Sequence, residues 1–211
     1  NCESWLRGSL DNYSKSIHSI FALLFGFDQI PFRMRESVGV RLEDIKTRPE
    51  ATIEALCAWL GVEVTPSLYE MTAQGKKWWG DLPTPKDDKY KALSAFDDAP
   101  LKRPVGAILS EKDQFILRTL FYPFSVRFGY READQEQFQN DLKEIRPFFD
   151  DMLDFEKAMA ERLSINHDQF RQNGSYQLFR AGLVDRWDVL NELGDYPHML
   201  TPLSFQQSSS Q

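Results

Sequence analysis

One short segment of β-type sequence stands among helical segments, and it restricts the possible folds more than any other feature. In the run SVGVRLEDI (37–45), Val38, Val40 and Leu42 alternate with small or charged residues, which predicts a strand. A single strand leaves its backbone N–H and C=O groups unpaired, and even two paired strands are only marginally stable alone. We therefore expect a mainly α fold with one or few short strands. The partner strand is expected in a preceding part of a longer chain, the simpler explanation, or in another chain.

Helical periodicity is found through most of the remaining sequence. Pro49 suits the first turn of a helix, because its fixed φ is helical and its missing N–H is not needed there, and Gly61 ends this helix. Three- and four-residue spacing defines its expected buried face: Ile53, Leu56, Cys57 and Leu60. Further helices are predicted over 10–24, 110–129 with a break near Pro123, 133–163 with a kink or break at Pro147, and 168–193. The expected buried positions of the 133–163 segment are Phe138, Leu142, Ile145, Phe149, Met152 and Met159.

Residues 72–104 lack this periodicity and are predicted to form a long surface loop with a turn or two of helix. Within it, the run GKKWWGD (75–81) has two glycines at the spacing of a phosphate-binding loop. The Lys-Ser or Lys-Thr pair of such a loop is absent after the second glycine, so this is not a Walker loop. Lys76 and Lys77 could still bind an anion, and Trp78 or its neighbour could stack on a base or sugar. The alternative is that the tryptophans anchor the loop on the core.

Composition and charge exclude several classes of function. The chain has 25 Lys and Arg against 32 Asp and Glu, a net charge of −7, which argues against binding of nucleic acid through clustered cations. The 3 histidines are far apart and none has the spacing of a metal-binding helix, so no metal site is predicted. The longest apolar stretch, 17–27, is shorter than the roughly 20 residues of a membrane span. Two cysteines, Cys2 and Cys57, cannot form a disulfide framework, and a reducing, cytoplasmic location is expected.

The run VRLEDIKTRPEATIEALCAWLGVEV (40–64) resembles the central segment of sulfotransferases that use 3′-phosphoadenosine 5′-phosphosulfate (PAPS), particularly the bacterial sulfotransferase-like group. In that family a strand ends in an acidic pair, and a helix that begins at proline and ends in Leu-Gly follows. GKKWWGD (75–81) and LSEKDQFILRTLFYPFSVRFGY (109–130) are similar to the family's C-terminal loop and final helix. The resemblance covers residues 1–130. Residues 131–205 are predicted to form a helical extension and 206–211 a disordered tail.

The resemblance implies the C-terminal part of a P-loop-like α/β fold that moves a sulfuryl group from PAPS to a hydroxyl or amine of a small-molecule or carbohydrate acceptor. It implies that Ser4 binds the 3′-phosphate of the cofactor, although a helix N-cap is an equally simple role for this serine. It also implies cofactor binding by Lys76, Lys77 and Trp78, although the family's usual Arg-Lys-Gly sequence is not present here. The 5′-phosphosulfate loop and the usual base belong to the family's upstream part, so we expect these 211 residues to be inactive alone.

A second interpretation is a non-catalytic helical binding or regulatory module. The helical extension could cover the acceptor site or provide a homodimer interface, and no catalytic residue is assigned. Glu43 and Asp44 are expected to have a structural role at the strand end and the following turn.

Overall fold

A computed structural model describes residues 37–70, 72–73, 76–77, 96, 98–102, 109–196 and 199–205. The described residues divide into two compact units. The small unit contains the described residues between 38 and 102 together with 202–205, and the helical unit contains 109–196 and 199–201. The domain division predicted from the sequence, with a boundary after residue 130, stays a prediction.

Short elements make up the small unit. In chain order they are β1 (Val38–Gly39), α1 (Leu42–Thr47), α2 (Pro49–Leu60), a 3-10 helix (Pro66–Tyr69), β2 (Thr72–Ala73), β3 (Lys76–Lys77) and a second 3-10 helix (Ala99–Lys102).

The strand predicted over 37–45 is confirmed at β1 and is wrong beyond Gly39, because α1 begins at Leu42. The first turn of α1 carries Glu43 and Asp44, and negative charge near a helix N-terminus is stabilising. This local preference outweighs the alternation of apolar residues, which here extends over too few positions to define a strand. Strand β1 has its partner within this chain, where the N–H of Leu203 donates to the carbonyl of Gly39 at 2.9 Å. The expectation that the partner strand lies in a preceding part of a longer chain or in another chain is therefore wrong.

Helix α2 begins and ends where its sequence predicts. Pro49 occupies its first turn, and Gly61 follows its last residue with φ 68°, a left-handed conformation that glycine adopts without steric penalty. The buried face differs from the expected one: it consists of Thr52, Ala55 and Cys57, whereas Leu60 is 54% exposed. The prediction is confirmed at Cys57 and wrong at Leu60.

A hairpin interrupts the segment predicted as a loop. Strands β2 and β3 pair antiparallel, with Thr72 opposite Lys77 and Ala73 opposite Lys76. The loop prediction is therefore wrong at these four paired positions, and 99–102 forms a turn of helix.

The helical unit contains most of the regular structure. In chain order its elements are α3 (Glu111–Leu120), α4 (Tyr122–Arg127), α5 (Gln135–Ile145), a 3-10 helix (Arg146–Asp150), α6 (Asp154–Arg162), α7 (His167–Arg171) and α8 (Gly174–Leu193). The last described strand, β4 (Thr201–Pro202), lies where the chain passes from the helical unit to the small unit.

The helix boundaries of this unit follow from capping residues and prolines. Ser110 and Asp113 form a capping box at the start of α3, where the sequence predicts that a helix begins. The chain breaks at Phe121, immediately before the turn that contains Pro123. The segment predicted over 133–163 is divided into α5, a 3-10 turn and α6, with Pro147 in the turn, which confirms the predicted break.

Asp113 connects two helices. Its carboxylate accepts hydrogen bonds from the backbone N–H groups of Asp154 (3.0 Å) and Phe155 (2.9 Å) in the first turn of α6, and from the N–H of Ser110 (3.3 Å). The Ser110 hydroxyl also donates to the Asp154 carboxylate at 2.8 Å. The start of α3 is thereby joined to the start of α6.

The core of the helical unit is formed mainly by α3, α5, α6 and α8. The six buried positions predicted for 133–163 are all buried, which confirms that periodicity. The Phe138 ring stacks on Tyr122, with centroids 4.2 Å apart, and the Trp187 indole N–H donates to the Leu142 carbonyl at 2.7 Å. Other almost fully buried side chains of this core are Ile116, Leu120, Phe155, Phe179, Leu183 and Leu190.

The prediction of a mainly α fold with few short strands is confirmed for the described residues, in which every strand has two residues. Among the described helices, none combines the length and the apolar character needed to cross a membrane.

Candidate functional site

The structure describes only part of the predicted cofactor-binding set. Lys76 and Lys77 form β3, and their backbone is held by the antiparallel pairing with β2. Ser4 and Trp78 lie outside the described residues. The described geometry therefore does not bring the four predicted residues together.

The turn between α1 and α2 is held by charged side chains that pair with one another. The Asp44 carboxylate is largely buried and accepts from Arg48 through Nη2 at 2.8 Å and Nε at 3.1 Å. The Thr52 hydroxyl donates to the Asp44 carbonyl at 3.0 Å, and the Arg48 guanidinium lies 3.8 Å from the centre of the Phe205 ring. These contacts give Asp44 the structural role expected from the sequence.

The helical unit contains an open cleft of about 660 Å³ between α3, α4 and α5. This volume lies within the range of about 300–1,000 Å³ that is typical of small-molecule sites. Side chains at helical spacing form two of its walls. Phe115 and Arg118 are three residues apart on α3, and Gln137, Asp141 and Glu144 follow at four- and three-residue steps on α5.

The third wall is formed by a tight turn after α4. Gly129 adopts φ 70°, and the N–H groups of Tyr130 and Arg131 both donate to the Ser125 carbonyl, at 2.7 and 3.3 Å. This turn directs the chain back along α4, so that Tyr130 and Arg131 line the cleft. The Arg131 guanidinium lies 4.7 Å from the centre of the Tyr122 ring, a cation–π contact that orients it.

Opposite charges share this cleft without pairing. Within the described residues, neither Arg118 nor Arg131 forms an ion pair, and the contact of Arg118 is with the Phe115 ring at 5.7 Å. Asp141 is only 8% exposed, and its Oδ1 accepts from the Gln137 amide at 2.7 Å. The cleft therefore presents two guanidinium groups and a fixed carboxylate to its interior.

A second cleft of about 390 Å³ lies beside α4, and its charged groups are already paired. Arg127 Nη2 donates to the Asp195 carboxylate at 2.5 Å, and Nη1 donates to the Met199 carbonyl at 3.2 Å. Its cation and carboxylate are less accessible to a ligand than those of the larger cleft.

Buried charged groups elsewhere in the helical unit have structural contacts. Glu156 is fully buried and accepts from the Leu153 N–H at 2.8 Å and from the Arg180 guanidinium. The Arg186 guanidinium lies 3.9 Å from the centre of the Tyr196 ring, and burial lowers the pKa of Arg186 and raises the pKa of Tyr196. These perturbed groups belong to the core and not to the cleft.

Sequence reasoning did not identify the charged residues of the larger cleft. The spacing of Gln137, Asp141 and Glu144 places them on one face of α5, which was a usable signal. Arg118 and Arg131 gave no such signal, because only the packing of α3 against α5 and the turn at Gly129 place them on the same cleft.

No group of three or more His, Cys, Asp or Glu side chains within the described ranges could hold a metal ion. Comparison of the chain with models of known protein families, with curated proteins and with solved structures found no match.

Proposed function

We propose that the chain is the C-terminal portion of a PAPS-dependent sulfotransferase, which moves a sulfuryl group from PAPS to a hydroxyl or amine acceptor. The observation that carries the proposal is the run 40–64 together with its conformation. Strand β1 ends at Gly39, Glu43 and Asp44 lie in the first turn of α1, and α2 runs from Pro49 to Leu60 and is followed by Gly61. The order of strand, acidic pair, proline-started helix and Leu-Gly is shared with the family and supports the proposal, whereas the acidic pair lies here in a helical turn and not at the end of the strand.

The hairpin of the small unit supports a role in binding the cofactor. It holds the backbone of two consecutive lysines, Lys76 and Lys77, in a defined conformation. Phosphate groups are bound in proteins by cationic side chains, and ordering of the backbone beforehand reduces the entropy lost when a ligand binds. Trp78 follows directly and is proposed to stack on the adenine or ribose, while Ser4 is proposed to contact the 3′-phosphate.

Sulfuryl transfer requires anion-binding groups at the transferred group and a base for the acceptor's proton, as in the related phosphoryl chemistry. The proposed residues of this chain bind and orient the nucleotide end of the cofactor. No residue of the chain is assigned as the base. We therefore expect weak nucleotide binding and no sulfuryl transfer by the 211 residues alone.

The binding experiment uses 3′-phosphoadenosine 5′-phosphate, the product form of the cofactor, titrated calorimetrically into the chain. Lys76→Ala/Lys77→Ala is expected to weaken binding by about tenfold or more, because it removes two potential phosphate contacts. Lys143→Ala/Arg162→Ala removes the same charge from exposed positions of the helical unit and serves as the control. Equal affinity of both double variants would contradict the assignment, and a lowered melting temperature of the first would indicate a packing role.

The transfer experiment measures the release of 3′-phosphoadenosine 5′-phosphate from PAPS in the presence of mixed hydroxyl and amine acceptors. The chain alone is expected to give no release above the uncatalysed rate. Robust turnover by these 211 residues would show that the expected inactivity is wrong.

A non-catalytic helical binding module is the second candidate, and the cleft between α3 and α5 favours it. Its unpaired charged groups are a feature of a binding surface and require no chemistry on a cofactor. If the chain does not bind 3′-phosphoadenosine 5′-phosphate but does bind a ligand in this cleft, the module interpretation is preferred.

A further inference from the structure

We propose that the cleft between α3 and α5 binds a small zwitterion, a molecule that carries an acidic group and an amino group on an apolar body, as an amino acid does. The proposal does not depend on the proposed sulfotransferase function. It rests on the helical unit alone, whose cleft residues differ from those proposed to bind the cofactor.

The separation of opposite charges is the first argument. Arg118 and Arg131 line the cleft and pair with no carboxylate of the described chain, although Asp141 and Glu144 line the same cleft. The guanidinium groups of Arg118 and Arg131 therefore lie farther than ion-pair distance from these two carboxylates. A ligand with both charges can satisfy a guanidinium at one end and a carboxylate at the other.

The fixed orientation of the charged groups is the second argument. The Arg131 guanidinium is held over the Tyr122 ring at 4.7 Å, and the Asp141 carboxylate is fixed by the Gln137 amide at 2.7 Å. Groups that are already oriented lose less conformational entropy on binding. Asp141 is also nine-tenths buried, and a partly desolvated charge interacts more strongly with a ligand charge than one in bulk water.

The other features of the cleft restrict the class of ligand that it can bind. Phe115 and Tyr130 supply aromatic surface beside the charged groups, which suits a ligand with an apolar body. Asp141 and Glu144 repel a ligand whose charges are all negative, so a nucleotide polyphosphate fits poorly. The volume of about 660 Å³ exceeds what a single amino acid fills, so a short peptide of the same charge pattern also fits.

The test compares three probes that share one aromatic body. L-Phenylalanine carries both charges, 3-phenylpropionate carries the carboxylate alone, and phenethylamine carries the ammonium alone. Each is titrated into the full chain, with binding followed by calorimetry and by ligand-observed NMR. We expect phenylalanine to bind about tenfold more tightly than either fragment, which corresponds to about 1.4 kcal/mol. Absence of phenylalanine binding at millimolar concentration, or equal affinities for the three probes, overturns the proposal.

Two variants test which charged side chain of the cleft binds which charged group of the probes. Arg118→Gln changes an exposed side chain. It is expected to weaken the binding of phenylalanine and of 3-phenylpropionate and to leave the binding of phenethylamine unchanged. Asp141→Asn retains an acceptor for the Gln137 amide. It is expected to weaken the binding of phenylalanine and of phenethylamine and to leave the binding of 3-phenylpropionate unchanged. Lys143→Gln, on the same helix but outside the cleft, is the control and should change none of the affinities.

The opposite pattern, or equal effects of both variants on all probes, shows that the cleft is not a zwitterion site. Binding of 3′-phosphoadenosine 5′-phosphate is measured on the same variants. It should be unaffected by Arg118→Gln and Asp141→Asn, so that failure of the cleft proposal and failure of the sulfotransferase proposal give different results.

Discussion

Replacement of Asp113 with alanine removes the acceptor for three backbone N–H groups at the starts of two helices. Two of these groups belong to Asp154 and Phe155, at 3.0 and 2.9 Å, and the third belongs to Ser110, at 3.3 Å. The Asp113 side chain is fully buried, so water cannot replace the carboxylate without rearrangement of α3 or α6. The substitution therefore tests whether this contact joins the two helices.

The expected loss of unfolding free energy follows from the burial of each donor. A buried donor left unpaired costs about 1–3 kcal/mol, and this range applies to the N–H of Phe155. The N–H groups of Asp154 and Ser110 are partly buried and contribute less, about 0.5–1.5 kcal/mol each. Removal of the carboxylate also relieves the cost of burying it, since burial raises the pKa of Asp113. We expect a net loss of about 3 kcal/mol, a large part of the stability of a typical domain.

The measurement is urea denaturation of the full chain at pH 7, followed by circular dichroism. Asp188→Ala changes an exposed aspartate of α8 and is the matched control, with an expected effect within about 0.5 kcal/mol. Ser110→Ala should cost about 1 kcal/mol, because it removes the N-cap oxygen of α3 and the contact with Asp154. A double variant at Ser110 and Asp113 should lose less than the sum of the single losses, because the two side chains share one capping box.

The reasoning is refuted if Asp113→Ala loses less than about 1 kcal/mol or if the two single losses add. A pH series gives an independent check. Because burial raises the folded pKa of Asp113 above 3.8, the protonated form is favoured by folding. This component of the stability is fully present below pH 3.8 and is lost as the pH rises through the folded pKa. It should be absent from Asp113→Asn.

Three further substitutions test other parts of the structure. The backbone N–H of Met152, followed by Lys157, lowers the pKa of Asp151 from 3.8 to about 2. Asp151→Asn should therefore lower the stability above pH 4, and the denaturation curves of the variant and wild type should converge as the pH falls towards 2. Phe138→Ala empties a fully buried site against Tyr122 and should lose about 4 kcal/mol in urea denaturation, whereas a loss below about 2 kcal/mol would contradict its central position in the core. Gly61→Ala should cost about 1 kcal/mol from the left-handed backbone alone, measured by thermal unfolding, because nothing lies within 4 Å of the added methyl group; a stabilised variant would contradict this.

The elements that could be predicted are those whose boundaries have a local cause. Ser110 starts α3 through its own side chain, Gly61 ends α2 through its own backbone, and Pro147 breaks the segment between α5 and α6. In contrast, the alternation over 37–45 was too short to separate a strand from a helix, and the helix from Leu42 followed. The face of α2 was also wrong at Leu60, because burial depends on what packs against the helix and not on the helix itself.

The same distinction between local sequence signals and tertiary packing applies to the two candidate sites. The sequence alone determined the mainly helical composition, the helix ends set by Ser110, Gly61 and Pro147, and the buried positions of the 133–163 segment, because caps, prolines and apolar periodicity act within a few residues of the chain. It also pointed to Lys76 and Lys77 as adjacent cations. Only the tertiary structure decided that Arg118 and Arg131 share a cleft with Asp141, since these residues lie on different elements and meet through packing of helices. Packing brings together residues that lie on different elements of the chain, and no local sequence pattern encodes such contacts.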